Sequence, residues 1–264
     1  MHEAHEILEQ LVRLSRERYV SAYPVARIYI AKDPSYAAAY SGLADCLTLI
    51  GSWGAVPPTE GAGKAKALAL KALAIDSSLA EAHTSLAWAA MWYDYDFSTA
   101  EREFERSIEL NPRSATAHEF FGYCLAFAGR YEEGYTELQR AIRLDPLSGT
   151  IHFALGCVYW SAHRFDEAVA TFEKAIELDP GNALAHSVLG YTLMYKSRYE
   201  LAIEELLKGI QLVPGASTFV ASLGEVYAVA GQATEWRFPQ HSSEHGLGNQ
   251  GEHPYAILNS CGAP

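Results

Sequence analysis

The chain has 264 residues, of which 49% are hydrophobic, so it is long enough to bury a large core. Its 32 Asp and Glu residues outnumber its 20 Lys and Arg residues, and the net charge at neutral pH is −12. This charge argues against a nucleic-acid backbone or an anionic membrane surface as the main partner.

Residues 1–33 are predicted to form a pair of helices that caps one end of the fold. Apolar residues recur at helical spacing over residues 3–16. Pro24 fits the first turn of a second helix that ends near Ala31.

The first recognisable repeat unit follows, and its two helices are predicted to be separated by a long loop. The stretch SWGAVPPTEGAG at residues 52–63 is rich in Gly and Pro, which favours a loop. The second helix is predicted to resume over residues 64–76, with Ala65 and Ala72 as its small residues.

Later units are more regular. The second unit, residues 80–114, has one extra residue, which is predicted to lie in the turn WYDYDFS. Units three to five follow without insertion at residues 115–148, 149–182 and 183–216. A sixth unit begins at residue 217 and loses the pattern after Glu235.

Four kinds of residue recur at one constant interval in these units. They are a proline, a glycine, the large apolar residue before that glycine, and the aromatic residue that opens the second helix. The members are Pro112, Pro146, Pro180 and Pro214; Gly122, Gly156, Gly190 and Gly224; Phe121, Leu155, Leu189 and Leu223; and Tyr131, Phe165 and Tyr199. The interval gives a 34-residue period, which is typical of a helix–turn–helix solenoid.

At these positions the chain resembles the tetratricopeptide repeat (TPR) family, over roughly residues 34–235. The resemblance implies an all-α fold, a right-handed superhelical solenoid of antiparallel helix pairs with about five full repeats and a partial sixth. The predicted domains are a helical cap at 1–33, the solenoid at 34–235, and an irregular tail at 236–264. The tail is interpreted as disordered or as non-native sequence, for example from a shifted reading frame.

Three stretches are also similar to the TPR regions of bacterial signalling proteins, namely receptor-like kinases, adenylate cyclases and winged-helix regulators. They are KDPSYAAAYSGLADCLTLIGSWGAVPP, SLAEAHTSLAWAAMWYDYDFSTAEREFERSIELNP and LSRERYVSAYPVARIYIA. No kinase, cyclase or winged-helix motif accompanies them. The similarity implies a regulatory setting for the chain.

The TPR resemblance implies that the first helices of the units line a concave groove. The residues that map to groove-lining positions are Trp88, Met91, Trp92, Tyr123, Phe127, Phe153, Trp160, Tyr191, Met194 and Tyr195. Such an aromatic surface suits an apolar or extended peptide. The alternative is that several of these side chains only pack between neighbouring first helices.

Metal and catalytic sites are not predicted. The ladder His83, His118, His152 and His186 has one histidine per unit, and successive units lie about 10 Å apart, too far to share an ion. His241, His245, His253 and Cys261 in the tail suit zinc by type, but they lack a framework. No cofactor is predicted, and the chain is not expected to be an enzyme.

The remaining sequence signals concern the location of the protein. Its four cysteines form no CxxC pair, the start lacks a signal-peptide pattern, and no apolar run reaches membrane-spanning length. These features predict a soluble cytoplasmic protein.

The leading functional hypothesis is a scaffold that binds a protein or peptide in its concave groove, in a bacterial regulatory system. One alternative is a module that self-associates through its exposed C-terminal repeat. Another is a regulatory fragment of a larger kinase, cyclase or transcription regulator.

Overall fold

The computed structural model describes residues 23–52, 58–214 and 216–231. Residues 23–32 are helical, in agreement with the helix predicted to start near Pro24. The predicted helix at 3–16 and the predicted tail at 236–264 lie outside the described residues. Throughout the described ranges the chain is all α, without a strand.

The helices alternate between first and second members of successive pairs. The first helices are α1 (Ala37–Ser52), α3 (Ala80–Ala89), α5 (Ala115–Phe127), α7 (Gly149–Ser161), α9 (Ala183–Tyr195) and α11 (Ser217–Val229). The second helices are α2 (Pro58–Ile75), α4 (Phe97–Leu110), α6 (Tyr131–Leu144), α8 (Phe165–Leu178) and α10 (Tyr199–Leu212). The described part therefore holds five pairs and the first helix of a sixth, which confirms the predicted repeat solenoid.

The chain divides into two compact units, with the boundary between Pro146 and Leu147. The unit that ends at Pro146 contains α1 to α6, and the unit that begins at Leu147 contains α7 to α11. Within each unit, a second helix packs against its own first helix and against the first helix of the next pair. The apolar faces are thereby buried between neighbours.

The core of the second helices α4, α6, α8 and α10 is one large side chain that is fully buried in each. These side chains occupy the same repeat position at Phe104, Leu138, Phe172 and Leu206, each with 0% exposure. A small residue one turn before each of them lets the two helices of a pair approach. Burial of such a side chain stabilises the fold by about 1.5–3 kcal/mol.

The recurring glycine of the first helices is required by this close approach. A Cβ atom placed on Gly156 would lie 2.5 Å from the ring of Phe172. The equivalent atom on Gly122 would lie 2.7 Å from Leu138, and that on Gly190 would lie 2.8 Å from Leu206. The first helix therefore contacts the large core side chain through its bare backbone.

The starts of three first helices are fixed by hydrogen-bonding side chains at one shared repeat position. Ser114, Ser148 and Asn182 accept a hydrogen bond from the backbone N–H three residues later. Such N-caps satisfy a donor that has no partner inside the helix.

The extra residue of the second repeat unit (residues 80–114) lies in its first helix and not in the turn after that helix. Ala90–Asp94 forms a π-helical turn, which accommodates one additional residue. The left-handed residues that follow the first helices, Tyr95, Gly129, His163 and Ser197, keep the 34-residue register. The insertion therefore precedes Tyr95, inside the helix, and the turn is unchanged.

The long loop predicted at residues 52–63 is wrong for most of its length. Helix α1 continues to Ser52, and α2 already begins at Pro58. Proline is favoured in the first turn of a helix, where its missing N–H would have no partner in any case. The Pro-rich sequence thus marks a helix start, and only residues 53–57 separate the described helices.

Candidate functional site

The unit that ends at Pro146 carries an aromatic cluster on its first helices. The ring of Trp88 stacks on Phe120 with a centroid distance of 4.1 Å and meets Trp92 edge-on at 5.5 Å. Trp92 in turn contacts Phe127 at 5.6 Å, and Trp88 lies 6.4 Å from Tyr123. We call these five residues the first aromatic surface.

The unit that begins at Leu147 has an aromatic cluster of its own. Phe165 and Tyr195 are stacked at 5.4 Å, and Trp160 meets Tyr195 edge-on at 6.0 Å. Tyr191 lies 5.3 Å from Tyr195 and 6.4 Å from Trp160. We call these four residues the second aromatic surface.

The residues predicted to line a groove differ in exposure. Met91 and Met194 are buried, and the exposed fractions of these residues are only 2% and 8%. Phe153 is half-buried against Phe172, at 5.7 Å. Tyr195 is 52% exposed. The other six are half-buried, and they are Trp88, Trp92, Tyr123, Phe127, Trp160 and Tyr191.

Two indole groups in these clusters have no hydrogen-bond acceptor among the described residues. Nε1 of Trp92 and Nε1 of Trp160 are both buried and unpaired. An unsatisfied buried donor costs about 1–3 kcal/mol, so such groups are rare in folded proteins. Each aromatic surface therefore contains one unused donor.

The first helices have an unusual charge composition. Within the residue ranges given for them, none of the six first helices contains a Lys or Arg residue. Their charged residues are four carboxylates, Asp45, Glu81, Glu119 and Glu225. Any fixed charge on these helices is therefore negative.

Two of these carboxyl groups have strongly raised pKa values. Burial raises the pKa of Glu119 to about 7, and the negative charge of Asp145 adds to the effect. Burial likewise raises the pKa of Asp45 to about 6, against the opposing effect of a 2.5 Å hydrogen bond from the Ser85 hydroxyl. The negative charge of Glu81 raises the pKa of Asp45 further.

Three histidines of the ladder join the two helices of their own pair. The Nδ1 atom of His118 lies 2.6 Å from the carboxylate of Glu137, and its Nε2 atom lies 3.2 Å from the carbonyl oxygen of Pro112. His83 pairs in the same way with Glu103 at 2.7 Å, and His186 pairs with Glu205 at 2.7 Å. These His–Glu pairs clamp a second helix and the preceding loop onto the first helix.

The remaining histidine of the ladder, His152, lacks this partner. The position equivalent to Glu137 is Thr171, and His152 Nδ1 instead lies 2.9 Å from the carbonyl oxygen of Ser148. Sequence reasoning considered the histidines alone and missed the glutamates. The signal was available, because Glu103, Glu137 and Glu205 follow the same 34-residue register.

No group of three or more metal-binding side chains occurs in the described part of the chain. The tail residues His241, His245, His253 and Cys261 lie outside it. Of the helices that the structure describes, none has the length and apolar character needed to cross a membrane.

Comparison with known protein families gives a match over part of the chain. Residues 92–149 and 153–217 match the family described as Tetratricopeptide repeat. These residues cover repeat units three to five and part of the second repeat unit, where the 34-residue period is most regular. Comparison with curated protein sequences gives no match.

Solved structures share the fold at low sequence identity. A chain of the APC/C hetero-tetramer Cut9–Hcn1 aligns with a TM-score of 0.64 and 15% identity, over 92% of this chain and 46% of that chain. The TPR protein TTC0263 of Thermus thermophilus aligns with a TM-score of 0.58 and 20% identity, over 72% and 99% of the two chains. Pseudomonas aeruginosa PilF aligns with a TM-score of 0.56 and 23% identity, over 73% and 87%.

Proposed function

We propose that this chain, whose residues 92–149 and 153–217 match the tetratricopeptide repeat family, is a non-enzymatic scaffold that binds a protein or peptide. The observation that carries the proposal is the pair of aromatic surfaces. Their rings lie on the first helices, except for Trp92 in the π-helical turn and Phe165 at the start of α8. Their rings are largely half-buried, although their size favours complete burial. A bound partner would complete that burial.

The chemistry of the aromatic surfaces suits a peptide. Large aromatic side chains dominate the binding energy of protein interfaces, because they bury much area at low entropic cost. The half-buried rings of Trp88, Trp92 and Trp160 offer flat apolar faces against which an extended segment can pack. The TPR resemblance assigns these rings to the concave groove, and this assignment is part of the proposal.

The cellular setting is proposed from resemblance. The chain is similar to TPR regions of bacterial receptor-like kinases, adenylate cyclases and winged-helix regulators. We therefore place it in the cytoplasm, in a bacterial regulatory system. A regulatory fragment of such a larger protein is the related alternative, and the upstream reading frame would identify it.

A triple substitution tests the scaffold hypothesis. Replacement of Trp88, Trp92 and Trp160 by Ala should abolish partner capture in affinity purification, because it removes the largest rings of both surfaces. Tyr29→Ala with Tyr36→Ala is the control, since these exposed rings contact each other outside both surfaces. Circular dichroism should show that helicity is retained. Unchanged capture by the triple variant would refute the assignment.

Self-association is the alternative of a different class. The last described helix, α11, leaves Val229 55% exposed, as expected of an apolar end that another subunit could cover. Light scattering over a range of protein concentrations distinguishes this alternative. A mass that stays at 29.0 kDa argues against it.

A further inference from the structure

We propose that the first aromatic surface binds a cationic peptide, whose Arg or Lys side chains lie on its rings and pair with the carboxylates of Asp45, Glu81 and Glu119. This inference rests on the proposed function and names the chemistry of the partner. Three observations within the unit that ends at Pro146 carry it. They are the placement of the carboxylates, the absence of neutralising charges on the same helices, and the half-buried rings.

The carboxylates and the rings share helix faces. On α3 and the π-helical turn after it, Glu81, Ser85, Trp88 and Trp92 follow one another at intervals of four, three and four residues, which places them on one face. On α5, Glu119 and Tyr123 are likewise four residues apart.

Side-chain contacts link the neighbouring first helices that carry these residues. The rings of Trp88 and Tyr123 join α3 to α5 at 6.4 Å. The Asp45 carboxylate joins α1 to α3 through its 2.5 Å hydrogen bond from Ser85. The carboxylates of Asp45, Glu81 and Glu119 and the aromatic rings therefore lie on three adjoining first helices, α1, α3 and α5.

The negative charge on this surface is not neutralised by its own helices. On the second helices of the same unit, Arg106 pairs with Glu109, and Arg140 pairs with Glu137. Arg130, just before α6, binds both Glu101 and Glu133. First helices α1, α3 and α5 contain no Lys or Arg at all.

The groups that act on the buried carboxylates are themselves acidic or neutral. Glu119 is influenced by Asp145, and Asp45 by Glu81 and the Ser85 hydroxyl. Lys66 of α2 reaches the end of the π-helical turn, where it is engaged by Asp94. The carboxylates thus have no cationic partner among the described residues. A bound cation would favour the ionised form of Glu119, in a half-buried setting where electrostatic attraction is stronger than in water.

A cationic side chain can interact with both the aromatic rings and the carboxylates. A guanidinium or ammonium group is attracted to the faces of Trp, Tyr and Phe rings, and also pairs with carboxylates. An acidic peptide would meet repulsion from the same carboxylates and from a chain of net charge −12. Charge complementarity therefore selects a basic partner among the peptides that an aromatic surface could hold.

Three matched peptide pools test the inference with the full-length chain. Each pool consists of random uncharged nonapeptides with three fixed positions, occupied by Arg, by its uncharged isostere citrulline, or by Glu. Binding is measured by fluorescence anisotropy. We expect the Arg pool to bind about tenfold or more tightly than the citrulline pool, and the Glu pool to bind most weakly.

Protein variants locate the effect. Glu81→Gln with Glu119→Gln should reduce the preference for Arg over citrulline several-fold, because the loss of two carboxylates weakens binding of the charged pool more than binding of the uncharged pool. Glu105→Gln with Glu109→Gln makes the same change of charge on second helix α4, and should leave the preference intact. An equal effect of the two double variants would contradict the assignment to this surface.

The outcomes separate this inference from the proposed function. If all three pools bind equally and the Trp88, Trp92 and Trp160 variant loses that binding, the cationic preference is overturned and the peptide-binding surface stands. If no pool binds the wild-type chain, both are overturned.

Discussion

At the scale of single residues, Glu119 combines a stability cost with a position on the proposed binding surface. Its folded pKa of about 7 lies well above the value of about 4.3 expected in an unfolded chain. Between these values the folded state holds a proton that the unfolded state has lost, so this group makes stability fall as pH rises. The cost is absent below about pH 4 and complete above about pH 7.

Glu119→Gln should therefore stabilise the protein at pH 8 by about 1–2 kcal/mol, after allowance for the water that reaches this half-buried side chain. At pH 4 the same substitution should have little effect, because the carboxyl is neutral in both states. Urea denaturation at the two pH values measures the difference. Glu109→Gln, on an exposed face of α4, is the control. A gain of equal size at both pH values would show that Glu119 is not the titrating group.

At the scale of the helix pair, the structure distinguishes two glycines that look alike in sequence. Gly42 and Gly156 both lie inside first helices. Among the described residues, a Cβ atom on Gly42 would have no neighbour within 4 Å, whereas one on Gly156 would lie 2.5 Å from the ring of Phe172. At Gly42, the effect of an added methyl group on stability should therefore follow the intrinsic preference of helices for Ala. At Gly156, it should follow the overpacking of the core.

Gly42→Ala should stabilise the protein by up to about 1 kcal/mol, and Gly156→Ala should destabilise it by about 1–3 kcal/mol. The two substitutions add the same methyl group to the same type of element, so each serves as the control for the other. Chemical denaturation followed by circular dichroism measures both. Effects of the same sign would argue against the close contact at Phe172.

The His–Glu pairs offer a second test at this scale, because one helix pair lacks its glutamate. Thr171→Glu should supply His152 with the partner that Glu137 provides for His118. In a double-mutant cycle with His152→Gln, we expect a coupling energy of about 0.5–1.5 kcal/mol. The coupling is measured as the difference in unfolding free energy that Thr171→Glu causes with and without His152. A coupling of zero would indicate that the clamp does not form in this helix pair.

At the scale of the whole molecule, the architecture is a series of helix pairs in two compact units. Neighbouring helix pairs share the same recurring glycines, prolines and core residues. The differences between the two compact units therefore lie in the residues at the other positions. In the unit that ends at Pro146, these residues put aromatic rings on the same first helices as Glu81 and Glu119, and Asp45 on the neighbouring helix α1. In the unit that begins at Leu147, the first helices carry a single carboxylate, that of Glu225. The proposed preference for a basic peptide therefore belongs to the unit that ends at Pro146.

The amino-acid sequence by itself determined the type of fold and the boundaries of most repeats. Glycines such as Gly156, prolines such as Pro180 and opening aromatics such as Phe165 recur once per repeat, because each pair makes the same local turns and packs on its neighbour in the same way. These signals are local and repeated, so they can be read without coordinates. The Pro-rich stretch at 52–63 was misread because Pro58 suits both a loop and the first turn of a helix.

Only the tertiary structure decided how individual side chains are used. Met91 and Trp92 are adjacent in sequence, yet Met91 is buried in the core and Trp92 belongs to the aromatic surface. The π-helical turn at Ala90–Asp94 and the partner of each histidine were likewise set by packing between helices. Burial, ring contacts and hydrogen bonds between different helices depend on how those helices fit together, and periodicity alone does not specify that fit.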